Sequence, residues 1–212
     1  MQVIVLADEE GRDALEAKKK GEGVQLIFIE NFNSVAEHGA ADAFFLLKEE
    51  MPSFAHPVFN GKPVCVHSTT CTLKELQLPG NYCRINGWPT FLQRPVWEVA
   101  GGDDALIKAL FDKLAWQYIR VDDVPGLVAA RVIAMIINEA YFALGEAVSG
   151  KDEIDLAMKL GTNYPFGPFE WSRKIGLEKI DALLEKLSES DTRYAVAPAM
   201  KNELLKIQWH SS

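Results

Sequence analysis

Three cysteines, no C-x-x-C pair and no apolar run long enough to cross a bilayer set the first limits on this 212-residue chain. So few thiols, in an odd number, do not make a disulfide framework. With no secretory leader pattern at the start, a reducing cytoplasm and free thiols are the expectation. Cys65 and His67 fall on one face of a strand, with Cys71 and Cys83 downstream, but the spacing lacks the paired ligands of a zinc site. Strand cysteines of this kind read as small apolar residues, and no metal is expected. Basic charge is also scarce: 22 Lys and Arg stand against 30 Asp and Glu, a net charge of -8. That balance disfavours nucleic acid and anionic lipid as partners. The chain has no P-loop, no Ser-His-Asp order and no interleaving of basic with aromatic residues. Its most apolar stretch, Leu127 to Val148, is broken by Arg131, Glu139 and Glu146, which excludes a membrane span.

What remains is ample apolar material, 48% of residues, enough to bury one large core or two small ones. Met1–Leu6, Val24–Glu30, Ala43–Leu47, Pro63–His67, Tyr82–Asn86, Val96–Ala100 and Tyr118–Val121 are short β-rich runs. Glu10–Lys20 and Asp103–Trp116 carry helical patterns between them, the second opened by acidic residues that suit a helix N-terminus. This alternation predicts a mainly parallel, doubly wound sheet. After Asp122 the β signal stops, and helices are predicted over roughly 127–149, 152–161, 167–173, 176–188 and 196–207. In the first of these, Val128, Val132, Met135, Ile136 and Ala140 recur at helical spacing and predict a long buried helix. The Pro125-Gly126 pair marks the change, so the predicted domains are 1–122 (α/β) and 123–212 (all-α).

The helical half carries many motifs at fixed spacing: Asp123, Pro125-Gly126, Arg131, Asn138-Glu139-Ala140, Ile154-Asp155, Ala157-Met158-Lys159-Leu160-Gly161, Tyr164-Pro165, Gly167-Pro168-Phe169-Glu170 and Gly176-Leu177, then Arg193-Tyr194 and Pro198. In this order they resemble the C-terminal domain of the 3-hydroxyacyl-CoA dehydrogenase family. Taken singly, each is ordinary packing or turn chemistry. The resemblance continues more thinly upstream. Residues 67–73, His-Ser-Thr-Thr-Cys-Thr-Leu, are similar to the family's Ser-Asn-Thr-Ser-Ser-Leu segment, and Asn86 to Val99 overlie its His-Phe-Phe-Asn-Pro to Glu-Val segment without a gap.

The resemblance implies a degenerate Rossmann-like domain, a helical dimerisation domain and a homodimer, in fatty-acid metabolism. It also says where the chemistry should sit. Family members use a histidine as general base on the substrate hydroxyl, oriented by a later carboxylate. Here the carboxylate is Glu98 and the base position holds Asn86. An amide does not titrate near neutral pH and cannot take the proton. The family's substrate-binding serine falls at Cys71, its asparagine at Ala130 beside a retained Arg131, and a further asparagine at Pro89. Cys71, with His67 nearby in sequence, also invites a reactive-thiol reading, although packed cysteine is the commoner state.

The cofactor loop departs further. A dinucleotide-binding turn needs G-x-G-x-x-G so that backbone N–H groups approach the pyrophosphate. Ala7, Glu9 and Arg12 stand at the three glycine positions, and Asp8, Glu9 and Glu10 place carboxylates where an anion should bind. Glu30, at the end of the second strand, is a weak match to the ribose-binding acid. Only a short segment joins it to Ala43, where family members carry a helical excursion that contacts coenzyme A. No cofactor is expected, and NAD is disfavoured. The reading is a dehydrogenase-like pseudoenzyme or redirected binder of an acyl or acyl-CoA ligand, the alternative being an active oxidoreductase with an altered site.

Overall fold

The computed structural model describes residues 1–48 and 57–210. It divides into two compact units, Met1–Leu127 and Val128–Ser212. The first holds seven strands: β1 (Gln2–Leu6), β2 (Gln25–Ile29), β3 (Ala43–Leu46), β4 (Val64–His67), β5 (Tyr82–Ile85), β6 (Val96–Ala100) and β7 (Gln117–Val121). Their order across the sheet is β2-β1-β3-β4-β5-β6-β7, parallel throughout except for the antiparallel β5–β6 pair. The central strands β3 and β4, AFFL and VCVH, are buried along their whole length. Continuous apolar runs of this kind suit a sheet covered on both faces.

Alternation along the strands sends side chains into two cores. Val3, Val5, Phe45, Cys65 and Cys83 pack with Leu15 of α1 (Glu9–Ala17) and with Ile107 and Phe111 of α2 (Asp104–Leu114). Ile4, Leu6, Phe44, Leu46 and Val66 point the other way, against Val35 and Phe59 from the 3-10 turns Phe32–His38 and Pro57–Phe59. Each helix starts on an aspartate: Asp8 Oδ1 accepts from Gly11 N at 2.8 Å, and Asp103 Oδ1 from Leu106 N at 3.0 Å. These carboxylates satisfy backbone donors that a helix N-terminus leaves open.

The first unit runs past the boundary expected at residue 122. Asp123 pairs with Arg84 of β5 and accepts from Leu73 N, while Gly126 N donates to Thr69 O at 2.6 Å. Asp123–Leu127 therefore pack on the sheet unit. Gly126, at a φ of +81°, adopts the left-handed backbone that glycine tolerates best.

The helical unit contains α3 (Ala129–Gly145), α4 (Lys151–Thr162), α5 (Pro168–Ile175), α6 (Leu177–Ser188) and α7 (Pro198–His210). α3 packs against α5, α6 and α7. Its inward stripe is Ile133, Ala134, Ile137, Asn138 and Tyr141, whereas Val128 and Val132 are about half exposed. The stripe predicted to be buried is therefore corrected in part. Apolar residues lie on both sides of this helix, and periodicity alone does not say which side meets the core.

Two of the motif residues in this unit, Asn138 and Asp155, hold its segments together. Asn138 donates to Ala195 O and accepts from Ala197 N, both at 2.9 Å, tying the segment before α7 to α3. Asp155 of α4 caps α5 from a neighbouring helix, accepting from Phe169 N at 2.7 Å and Glu170 N at 3.1 Å. No helix among the described residues is long and apolar enough to cross a membrane.

Candidate functional site

Ligands of doubly wound sheets gather at the C-terminal ends of the strands, where the strand order reverses. Here β1 leads to α1 on one face, and β4 and β5 end in the loops that hold Cys71 and Asn86. His67 closes β4 with 2% of its surface exposed, and its Nδ1 accepts from Gly87 N at 3.0 Å. A nitrogen that accepts this bond carries no proton. The approach is close enough to require glycine, since a Cβ at residue 87 would lie 2.8 Å from His67 Cγ.

Asn86 follows β5 and is turned back on its own chain: Oδ1 accepts from Trp88 N at 3.0 Å. This is an Asx turn, the side-chain mimic of a backbone turn. The same amide leaves Nδ2 buried with no hydrogen-bond partner among the described residues. A buried, unpaired donor is costly, roughly 1–3 kcal/mol. Asn86 thus starts the 87–91 turn, and its amide is too weakly basic to take a proton near neutral pH.

The residue that organises this edge of the sheet is Arg84, with 0% of its surface exposed. Its Nε meets Asp123 Oδ1 at 2.6 Å, one Nη binds Ser68 O and Cys71 O at 2.9 and 2.8 Å, and the other binds Val124 O at 2.8 Å. The planar fork fits this ring of oxygens as a lysine could not. Ser68 Oγ also donates to Cys71 O, so the 68–71 loop is held at its backbone. The Cys71 thiol is partly exposed, with Thr70 Oγ1 3.8 Å from its sulfur. Sequence reading passed over Arg84. Its signal was a lone charge inside an apolar strand, but its oxygen partners come from residues far apart in the chain.

Glu98 lies half-buried on β6, in register with Ile119 of β7. Partial burial lowers the pKa of Arg94, and the charge of Glu98 acts in the opposite direction. Glu30 is exposed just beyond β2, where its backbone carbonyl accepts from Lys48 Nζ at 2.9 Å. Ala130 and Arg131 belong to the helical unit: Ala130 is fully buried, and the Arg131 guanidinium lies 5.9 Å from the centre of the Tyr194 ring. Among the described residues, no group of three or more His, Cys, Asp or Glu is placed to hold a metal ion.

The turn where a dinucleotide would bind does not fit one. The Gly11 N–H, a donor of the α1 N-terminus, is already taken by the Asp8 carboxylate. Glu9 and Glu10 occupy the first turn, and Arg12 lies over the Phe28 ring at 5.0 Å. The cleft between this turn and the 87–93 segment, lined by Asp8, Glu10, Gly11, Trp88 and Leu92, has a volume of about 10 Å³. That is room for about one water molecule.

A seven-stranded, mostly parallel sheet followed by a helical unit is the architecture of two-domain dehydrogenases. Residues 126–210 match the family described as 3-hydroxyacyl-CoA dehydrogenase, C-terminal domain. The helical region thus carries the likeness to the 3-hydroxyacyl-CoA dehydrogenase family. It is 36% identical over 107 residues to 3-hydroxyadipyl-CoA dehydrogenase of Escherichia coli strain K12, covering 49% of this chain and 22% of that protein. It is 34% identical over 105 residues to a probable 3-hydroxybutyryl-CoA dehydrogenase of Bacillus subtilis strain 168, covering 49% of this chain and 36% of the relative. The match thus spans about a fifth to a third of these curated relatives. Among solved structures, (S)-3-hydroxybutyryl-CoA dehydrogenase from Ralstonia eutropha aligns with a TM-score of 0.71 at 19% identity, covering 97% of this chain and 93% of that one, a likeness of fold. The 3-hydroxybutyryl-CoA dehydrogenase of Escherichia coli K12 aligns with a TM-score of 0.58 at 28% identity, over 68% of this chain and 32% of the other.

Proposed function

We propose that this chain is a 3-hydroxyacyl-CoA dehydrogenase-like protein of fatty-acid metabolism that has lost NAD-dependent turnover and acts as a pseudoenzyme or redirected acyl or acyl-CoA binder. The observation that carries this reading is the self-capped N-terminus of α1, where Asp8 holds the Gly11 N–H beneath a cleft of about 10 Å³. A dianionic pyrophosphate there would meet carboxylates instead of free backbone donors. Asn86 supports it from the other side of the reaction, as an amide locked in an Asx turn where relatives hold the base. Loss of a general base by itself costs about 10²–10⁴-fold in rate. Glu98 has no imidazole at residue 86 to orient.

The expected result is no saturable change in NADH fluorescence on titration with the full chain, and no acetoacetyl-CoA-dependent NADH oxidation at high protein concentration. Saturable NADH binding with turnover would sink the proposal. A change in intrinsic tryptophan fluorescence on adding acyl-CoA without NADH would support the redirected-binder form of it.

We further propose a homodimer built through the helical unit, in a reducing cytoplasm that suits its three free cysteines. Val128, just before α3, Val132 of α3, and Leu156 and Leu160 of α4 present apolar side chains outward, Leu160 with 78% of its surface exposed. Apolar surface of this kind suits a subunit seam. Sedimentation at micromolar concentration is expected to give a dimer, and the L156K/L160K variant a monomer. A monomeric wild type would remove the proposal.

A further inference from the structure

We propose that Cys65 and Cys83 form an oxidative modification site, a buried dithiol that a two-electron oxidant converts to a disulfide across β4 and β5. The two residues are register partners on adjacent parallel strands. Their sulfurs lie 3.3 Å apart, and both side chains have no exposed surface. Paired strands run about 4.8 Å apart, a spacing inside the Cα range that disulfides span. Bond formation therefore needs the sulfurs to close by only about 1.2 Å, within reach of side-chain rotation. The third cysteine is placed differently, on the 68–71 loop with Thr70 as its sulfur's neighbour.

Burial sets the rate of this chemistry. It pushes the Cys65 thiol well above its ordinary pKa, with Cys83 adding to the effect, so the reactive thiolate is scarce in the closed fold. Reaction then proceeds through transient opening of the sheet. With hydrogen peroxide as oxidant, one thiolate attacks a peroxide oxygen, giving a sulfenic acid and, after proton transfer, one water. The second thiol attacks the sulfenic sulfur, forms the S–S bond and releases a second water. Two thiols lose two hydrogens and two electrons, and peroxide is reduced to two waters. The new bond links the strands whose C-terminal ends lead into the Cys71 loop and the Asn86 turn.

The test treats the full chain with hydrogen peroxide in native buffer and at sub-denaturing urea, blocks remaining thiols with iodoacetamide, and maps cross-linked peptides by non-reducing mass spectrometry. The expected product is a Cys65–Cys83 peptide pair lighter by two hydrogens, formed several-fold faster as urea is raised and reversed by dithiothreitol. The Cys71→Ser variant should retain it, and Cys83→Ser should lose it. An unfolded chain would instead favour Cys65–Cys71, because the shorter loop closes more readily. A dominant Cys65–Cys71 product, or Cys65 and Cys83 recovered only as uncross-linked thiols, overturns the proposal. Cys71→Ser keeps the test valid if Cys83→Ser fails to fold.

Discussion

Arg84→Leu is expected to lower unfolding stability by about 3–5 kcal/mol, the range found when one partner of a buried ion pair is removed. The size follows from what the guanidinium holds. Asp123 loses its counter-charge, and the carbonyls of Ser68, Cys71 and Val124 lose their donor at once. Asp123 retains some exposure, its side chain being 25% accessible, so water absorbs part of the loss on that side. The Ser68 carbonyl, in a buried bond, has less recourse, and an unsatisfied buried group costs about 1–3 kcal/mol. Arg84→Lys keeps the charge without the planar fork and should fall between Leu and wild type. Urea denaturation reads the effect as a lower midpoint. A second readout is the Cys71 thiol, which should be alkylated faster in Arg84→Leu under native conditions because the loop has lost its anchor. An unfolding free energy within about 1 kcal/mol of wild type would show that the oxygens find other donors.

In the helical unit the largest effect is expected at Asp155. Asp155→Ala removes a buried carboxylate that accepts from Phe169 N and Glu170 N and lies 3.6 Å from the Arg173 guanidinium. Hydrogen bonds to a charged group contribute about 1.5–3 kcal/mol each. A net loss of about 3 kcal/mol is expected, since water reaches part of the freed helix end. Asp155→Asn keeps one acceptor oxygen and should lose about half as much. Gly167→Ala attacks the same joint sterically, because its Cβ would lie 2.5 Å from the Asp155 Cα. Thermal and urea unfolding of the three variants check the account. Equal losses for Asp155→Ala and Asp155→Asn would show that the charge, rather than the capping geometry, matters.

Asp155 also shows what a motif says and leaves unsaid. Ile154-Asp155 and Gly167-Pro168-Phe169-Glu170 were legible as a pair of recurring segments, but nothing in their spacing says that one caps the helix begun by the other. The strands were legible in the same way. All seven β-rich runs coincide with observed strands to within about two residues at either end, because short apolar runs bounded by turn residues are a local property. α3 marks the limit: its length was readable, whereas its buried stripe was decided by the packing of α5, α6 and α7. At the candidate site, the amide of Asn86 and the glycine-poor, acidic turn around Ala7, Glu9 and Arg12 were visible in the sequence. What these residues form in the structure, an Asx turn and a self-capped helix, became visible only as hydrogen bonds.

The order of residues by itself determined the succession of strands and helices, the kinship of the helical half, the amide at residue 86 and the glycine-poor turn after the first strand. Each of these depends on neighbours along the chain. Tertiary structure decided the strand order, the oxygens around Arg84, the accepting nitrogen of His67 and the approach of Cys65 to Cys83. These depend on register and on which distant segments share a core, so they are set when the sheet assembles and its two faces are buried.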